Sequence, residues 1–290
     1  MTAYGSQAMS APLMRVLMRR PGDSLRNADA GEWHYGPGFD AEKAIRQHRE
    51  FTGLVEKSGA EILWLEDAGD GLADSMFTHD PSLMTDHRAI LLRMGKSLRA
   101  TEPELHEKAY AAAGIPVLGR IAAPGAVEGG DCVWVDKQTL AVGRGVRTNQ
   151  AGIDQLAAIL KPIGVTVLGY DLPLWQGVEA CLHLMSVISP LAEKLALVHA
   201  PLMPAALYMM LQERGYTLIH GSDNEFAESN GLSLNVLPTS PGHVIMVDGF
   251  PITRQAMEAH GCVVDTFEAD ALCIACEGGP TCLTRPVLRR

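Results

Sequence analysis

No stretch of the chain offers eighteen consecutive apolar residues, so nothing in the sequence reads as a membrane-spanning helix. Met1 to Leu13 lacks the basic start and continuous apolar run of an export signal. Cations are scarce: 24 Lys and Arg stand against 34 Asp and Glu, a formal net charge of −10, which leaves no basic face to hold a phosphate backbone. Nucleic acid and membrane are therefore not expected as partners, and a small cationic compound suits the field better. Cysteine is sparse too. Six thiols, Cys132, Cys181, Cys262, Cys273, Cys276 and Cys282, are too few and too irregular in 290 residues for a secreted disulfide framework. Reduced thiols in a cytoplasmic setting are expected. Ser/Gly-rich linkers and long charge runs are missing as well, so residues 1–290 are expected to form a single domain.

What is present is a repeat. Hydrophobic residues make up 47% of the chain, enough for a well-filled core. Five times a helix-like stretch ends at a glycine that leads directly into a short apolar strand, at Gly59, Gly114, Gly164, Gly215 and Gly261. Glycine suits that place because a helix commonly ends on a left-handed residue, where a Cβ would clash. Ala41 to Lys57 carries Ala44, Ile45, Phe51, Leu54 and Val55 at helical spacing, and Thr101-Glu102-Pro103-Glu104 reads as a capped helix start. Further helices are expected from Gly152 to Leu160 and from Ala205 to Glu213. Between the strands and helices lie paired runs such as Leu83 to Thr85 with Ala89 to Leu92, and Cys132 to Val135 with Thr139 to Val142. Each unit thus reads as hairpin, helix, strand, and the fold as an α/β array of five modules.

Polar clusters fall just past the module strands, where a ring of modules would gather them. Asp74 to Pro81 follows the first strand, Glu128-Gly129-Gly130-Asp131 the second, His183 the third and Cys282 the fifth. Cysteine with histidine is the minimum equipment for nucleophilic catalysis, the thiolate attacking and the imidazole moving protons. Carboxylates beside a thiol oppose its ionisation unless the substrate is itself a cation. A planar guanidinium meets that condition, since carboxylates bind it through paired hydrogen bonds. Taken singly, each residue has a plain alternative: an inert buried thiol, a core histidine, a capping aspartate. Cys273-Ile274-Ala275-Cys276 has metal-like spacing but no second paired knuckle, and Ala271 to Ala275 reads as a buried strand, so neither metal nor cofactor is expected. Asn27 to Phe39, with Trp33, His34 and Tyr35, reads as a surface loop or a lid and is given no role.

In their order along the chain these pieces resemble the guanidine-modifying superfamily of pentein proteins. Phe77-Thr78-His79-Asp80-Pro81 resembles the aspartate motif, Glu128-Gly129-Gly130-Asp131 the glutamate motif and Arg147-Thr148-Asn149 the arginine motif. His183-Leu184 resembles the histidine motif, and Gly279-Pro280-Thr281-Cys282-Leu283-Thr284 the nucleophile motif. The resemblance implies a pentein α/β propeller, five ββαβ-type modules around a pseudo-fivefold axis, forming a single catalytic domain. It implies that Cys282 attacks the guanidinium carbon to give a covalent intermediate. His183 protonates the departing amine and later activates water, while Asp80 and Glu128 grip the guanidinium nitrogens.

Within that superfamily the chain is most similar to dimethylarginine dimethylaminohydrolases. Met185 stands where arginine deiminases typically carry an aspartate, giving a methylated nitrogen an apolar neighbour. Asp74 resembles the aspartate that binds the α-amino group, and Arg99 and Arg147 match positions that bind the α-carboxylate. Phe77 belongs to the same substrate-binding stretch. The Thr78-His79-Asp80-Pro81 run is closer to the deiminase form. The expected activity is hydrolysis of Nω-methylated arginine to citrulline and methylamine or dimethylamine. The alternatives are an arginine deiminase or other guanidine hydrolase and, behind these, an amidinotransferase. Transferases usually place histidine where Pro280 stands. A non-enzymatic binding protein of the same architecture is the rival from another class, and a homodimer is left open.

Overall fold

The computed structural model describes residues 3–65, 69, 71–178 and 180–290. Five three-stranded sheets share one topology: an antiparallel pair whose inner strand pairs in parallel with a third strand reached through a helix. β3 (Ser82–Met84), β4 (Ala89–Leu91) and β5 (Val117–Arg120) form one module around the helix Glu102–Ala112. β6 (Cys132–Asp136), β7 (Thr139–Arg144) and β8 (Thr166–Asp171) enclose the helix Gln150–Leu160. β9 (Ile188–Ala192), β10 (Leu195–Val198) and β11 (Thr217–His220) go with Ala205–Glu213, and β12 (Leu237–Ser240), β13 (His243–Val247) and β14 (Val263–Phe267) with Pro251–Glu258.

The remaining module is assembled from both ends of the chain. β1 (Leu13–Arg19) pairs in parallel with β2 (Glu61–Leu65) across the helix Ala41–Lys57, but its antiparallel partner is β15 (Arg285–Arg289). The final strand therefore joins the last connection of the chain to the first sheet, and nothing local in the sequence announces that pairing.

The expected helix ends hold in each module. Gly59, Gly114, Gly164, Gly215 and Gly261 all have positive φ, between 69° and 89°, and a Cβ added at any of them would meet nothing within 4 Å. Backbone conformation alone, and not crowding, demands glycine there. Ala41–Lys57 turns Ala44, Ile45, Phe51 and Val55 inward, with Leu54 half-buried at the margin, and Phe51 stacks on Phe267. Inner strands β4, β7, β10 and β13 are almost wholly buried, as a strand covered on both faces must be.

Two local expectations change. Thr101 precedes the helix Glu102–Ala112 but makes no side-chain capping bond. Ala271 to Ala275 is not a strand: Asp270–Ile274 is a π-helical turn. Gln47 decides this by tertiary contact, its Oε1 accepting from the amides of Ala271 and Leu272 while its Nε2 donates to Asp270. That satisfies amides a strand would have paired in a ladder.

Candidate active site

Each connection between a module's third strand and the next module's hairpin delivers one piece of a single cavity of about 120 Å³. Asp74, Phe77 and Asp80 come from between β2 and β3, Glu128 and Gly130 from between β5 and β6, and Cys181, His183 and Met185 from between β8 and β9. Asn235 lies between β11 and β12, and Cys276 and Cys282 between β14 and β15. Arg99 and Arg147, from the β4 and β7 connections to their helices, complete the wall. All nine residues expected from the sequence line this cavity.

Glu128 is almost fully buried, and its oxygens divide their work. Oε1 accepts from the amides of Gly95 (2.9 Å) and Lys96 (3.0 Å), while Oε2 lies 2.9 Å from Nε2 of His183. Burial would raise its pKa, but the hydrogen bond and charge of His183 outweigh it and keep the carboxylate ionised. Burial likewise acts to lower the pKa of His183. The charges of Cys181 and Asp131, with hydrogen bonds to Cys181 and Glu128, overcome that and hold the imidazolium well above its ordinary range. The ring is thus stored as an acid.

Asp80 takes an amide bond from Gly130 on Oδ1 (2.9 Å) and Arg99 Nη1 on Oδ2 (2.7 Å). Burial opposes its charge, and Arg99 more than restores it, leaving the carboxyl well below the usual range. Arg99 itself is buried. Beyond Asp80 it donates to both oxygens of Glu102 and to the Phe77 carbonyl, so most of its guanidinium donors are engaged within the protein, although Arg99 lines the cavity. Arg147 differs: its nearest ion pair is 3.8 Å from Glu128 and its side chain keeps 20% exposure.

Asp74 also has partners already. Tyr35 donates to Oδ1 at 2.9 Å and the Lys96 ammonium to Oδ2 at 2.6 Å. Tyr35 and Trp33 belong to the Asn27 to Phe39 segment, which therefore builds the wall as well as the surface. Their signal was aromatic residues within a polar, Gly-rich stretch.

Cys282 is held by the amide of Asn235, whose Nδ2 lies 3.1 Å from Sγ while its Oδ1 accepts from the amide of Thr281. Burial, then the negative charge of Asp80, pushes the thiol's pKa up, against the pull of Gly279, His183 and Asn235. The site thus holds Cys282 as a thiol near neutral pH. Asn235 escaped the sequence reading; its signal is a lone amide inside the apolar run Leu232 to Leu237. Replacing it with alanine is expected to slow thiol alkylation by iodoacetamide several-fold at neutral pH and to move the alkylation profile to higher pH. An unmoved profile would make Asn235 a packing residue only.

His79 is neutral. Its Nδ1 lies 2.9 Å from the Thr284 carbonyl and so must carry the proton, and burial, aided by the charge of Arg285, lowers its pKa to about 3. That leaves Nε2 as an acceptor, with no protein partner among the described residues. Glu128, Cys181 and His183 bring three metal-competent atoms within 4.8 Å of one another, a set that could hold a divalent cation. The same closeness is explained by the hydrogen bonds to His183.

Gly130 is where the backbone passes closest to the chemistry. A Cβ there would sit 2.6 Å from Nδ1 of His183 and 3.1 Å from Oδ1 of Asp80. Gly130→Ala is expected to lower turnover about a hundredfold, because the imidazole must swing away from its partner. A steady-state assay beside an unchanged far-UV spectrum checks this.

Residues 69–209 match the family described as arginine deiminase. The N(G),N(G)-dimethylarginine dimethylaminohydrolase of Streptomyces coelicolor is 32% identical over 192 residues, 66% of this chain and 70% of that protein. The enzyme of that name from Pseudomonas aeruginosa is 29% identical over 273 residues, 93% of this chain and 97% of that one. A solved structure of dimethylarginine dimethylaminohydrolase from Pseudomonas aeruginosa, complexed with citrulline, superposes with a TM-score of 0.76 at 24% identity. It covers 96% of this chain and all of that one.

Proposed function

Given that the chain belongs to the dimethylarginine dimethylaminohydrolase family of guanidine-modifying pentein enzymes, hydrolases of C–N bonds in linear amidines, we propose that it cleaves the methylated nitrogen from an Nω-methylated arginine. Guanidinium binding lets Cys282 release its proton to solvent; the Sγ thiolate attacks the guanidinium carbon, and the bond from that carbon to the methylated nitrogen breaks as His183 gives its proton to the leaving amine. Water, deprotonated by the now neutral His183, attacks the same carbon and releases Cys282. The products are citrulline and methylamine or dimethylamine with one water consumed, and the released Cys282 thiolate takes a proton back from solvent as citrulline leaves.

The observation that carries this reading is convergence: four separate connections place Cys282, His183, Asp80 and Glu128 around one cavity, with the buried Met185 in its wall. A cation arriving between Asp80 and Glu128 replaces the charge compensation that the thiol lacks, so binding and nucleophile activation are one event. Arg99 is assigned to orienting Asp80, and Arg147 to the substrate's carboxylate. Met185 offers a methyl group a contact without demanding a hydrogen-bond donor, which an unmethylated nitrogen would leave unpaired.

Product analysis decides between this and the deiminase reading favoured by the matched family's description and by Thr78-His79-Asp80-Pro81. Incubation with dimethylarginine, monomethylarginine and arginine is expected to yield alkylamine from the first two and little ammonia from the third. Ammonia from arginine as the main product would establish the deiminase instead.

A further inference from the structure

An amino-acid substrate needs a partner for its α-ammonium, and Asp74 is the carboxylate expected to supply it. In this chain that place is taken. Lys96 Nζ lies 2.6 Å from Asp74 Oδ2 and 3.3 Å from the Trp33 carbonyl, with its charge 5.2 Å from the centre of the Trp33 ring. Tyr35 holds the other oxygen, and the side chains of Lys96 and Asp74 keep only 15% and 8% exposure. A carboxylate has lone pairs to spare, so a third donor is not excluded by hydrogen-bond count. Charge decides the matter: Asp74 is the carboxylate partner of Lys96, unlike Asp80, whose cation Arg99 is shared with Glu102, so a second ammonium beside Lys96 would meet like charge in a site shielded from water.

The opposite end of the balance favours an anion. Arg147 keeps most of its donors, Lys96 has one N–H beyond its two partners, and both act electrostatically on Glu277 at the rim. We infer that Lys96 takes the place of a substrate α-ammonium on Asp74, so that the preferred substrate is an Nω-methylated guanidino acid without an α-amino group. This rests on the guanidine-hydrolase reading at the Cys282 end and revises only the far end. Glu277, exposed at the rim, is the remaining carboxylate of the lining that an ammonium could reach.

The test compares alkylamine release from monomethyl-L-arginine and from 5-(N′-methylguanidino)pentanoate, the same skeleton without the amine. The native protein is expected to favour the pentanoate by about tenfold or more in kcat/KM, as one uncompensated charge contact predicts. Lys96→Met keeps the stem and the backbone amide bonded to Glu128 while freeing Asp74, and should shift the preference toward methylarginine by a similar factor. Because that variant leaves a buried carboxylate without its cation, Lys96→Met combined with Asp74→Asn serves as the second case and should bring the two substrates within about threefold. Native preference for methylarginine, lost in Glu277→Gln, would overturn the assignment of Lys96 and leave the hydrolase reading intact. An unchanged substrate ratio in both Lys96 variants would do the same. No alkylamine from either compound would overturn both, the inference falling with the reading beneath it.

Discussion

Replacing Cys282 with serine is expected to lower turnover of a methylated arginine about 10⁴-fold or more, with the fold unchanged. The side chain sits half-buried between Asn235 and the Asp80 carboxylate, and serine fits the same space. What changes is the nucleophile. A hydroxyl near its ordinary pKa cannot be ionised by an arriving guanidinium, whereas a thiol needs only modest help even after burial has raised it. Losses on this order accompany removal of the attacking group in other covalent hydrolases. Stopped-time alkylamine assays, with circular dichroism as the fold control, check the result. Turnover within tenfold of the native protein would dismiss covalent catalysis by Cys282, and the arrangement of carboxylates around it would need another purpose.

The second large effect belongs to His183 and to Glu128, one of the groups that hold its charge. His183→Ala is expected to reduce turnover by about 10² to 10⁴, the usual range for a lost proton donor. Alkylamines are poor leaving groups unless protonated, and among the described residues His183 is the imidazole of the cavity held in its acid form, since burial keeps His79 neutral. Glu128→Gln supplies a sharper check because it leaves the ring in place. Glu128 raises the His183 pKa, so the acid form in the native protein persists to high pH and is lost as pH rises through that raised value. With glutamine the same loss occurs at lower pH, and the alkaline limb of kcat/KM moves down. If the limb stays fixed, it reports another group.

Much of this was legible without coordinates. The five glycines are local signals: positive φ is a property of one residue and its neighbours, so spacing along the chain reveals the module count directly. Cys282, His183, Asp80 and Glu128 were legible as motifs because each lies in the connection that follows a module's third strand. Partners were not legible. Arg99 resembles a substrate-binding arginine in sequence, and nothing in that resemblance announces that most of its donors go to Glu102, Asp80 and the Phe77 carbonyl. Lys96 carried no signal, although it neutralises Asp74.

The sequence by itself determined the modular fold class, the chemistry of the groups and the class of compound they suit. Only the tertiary structure decided which of those groups are available to a substrate. The pairing of β15 with β1 brings residues more than 250 positions apart into one sheet. Gln47 sets the turn at Asp270–Ile274 from 224 positions away, and Asn235 reaches Cys282 across 47. Conformational preference is written residue by residue. The charge on a carboxylate depends on whichever cation the tertiary structure places beside it, and that placement belongs to the whole chain.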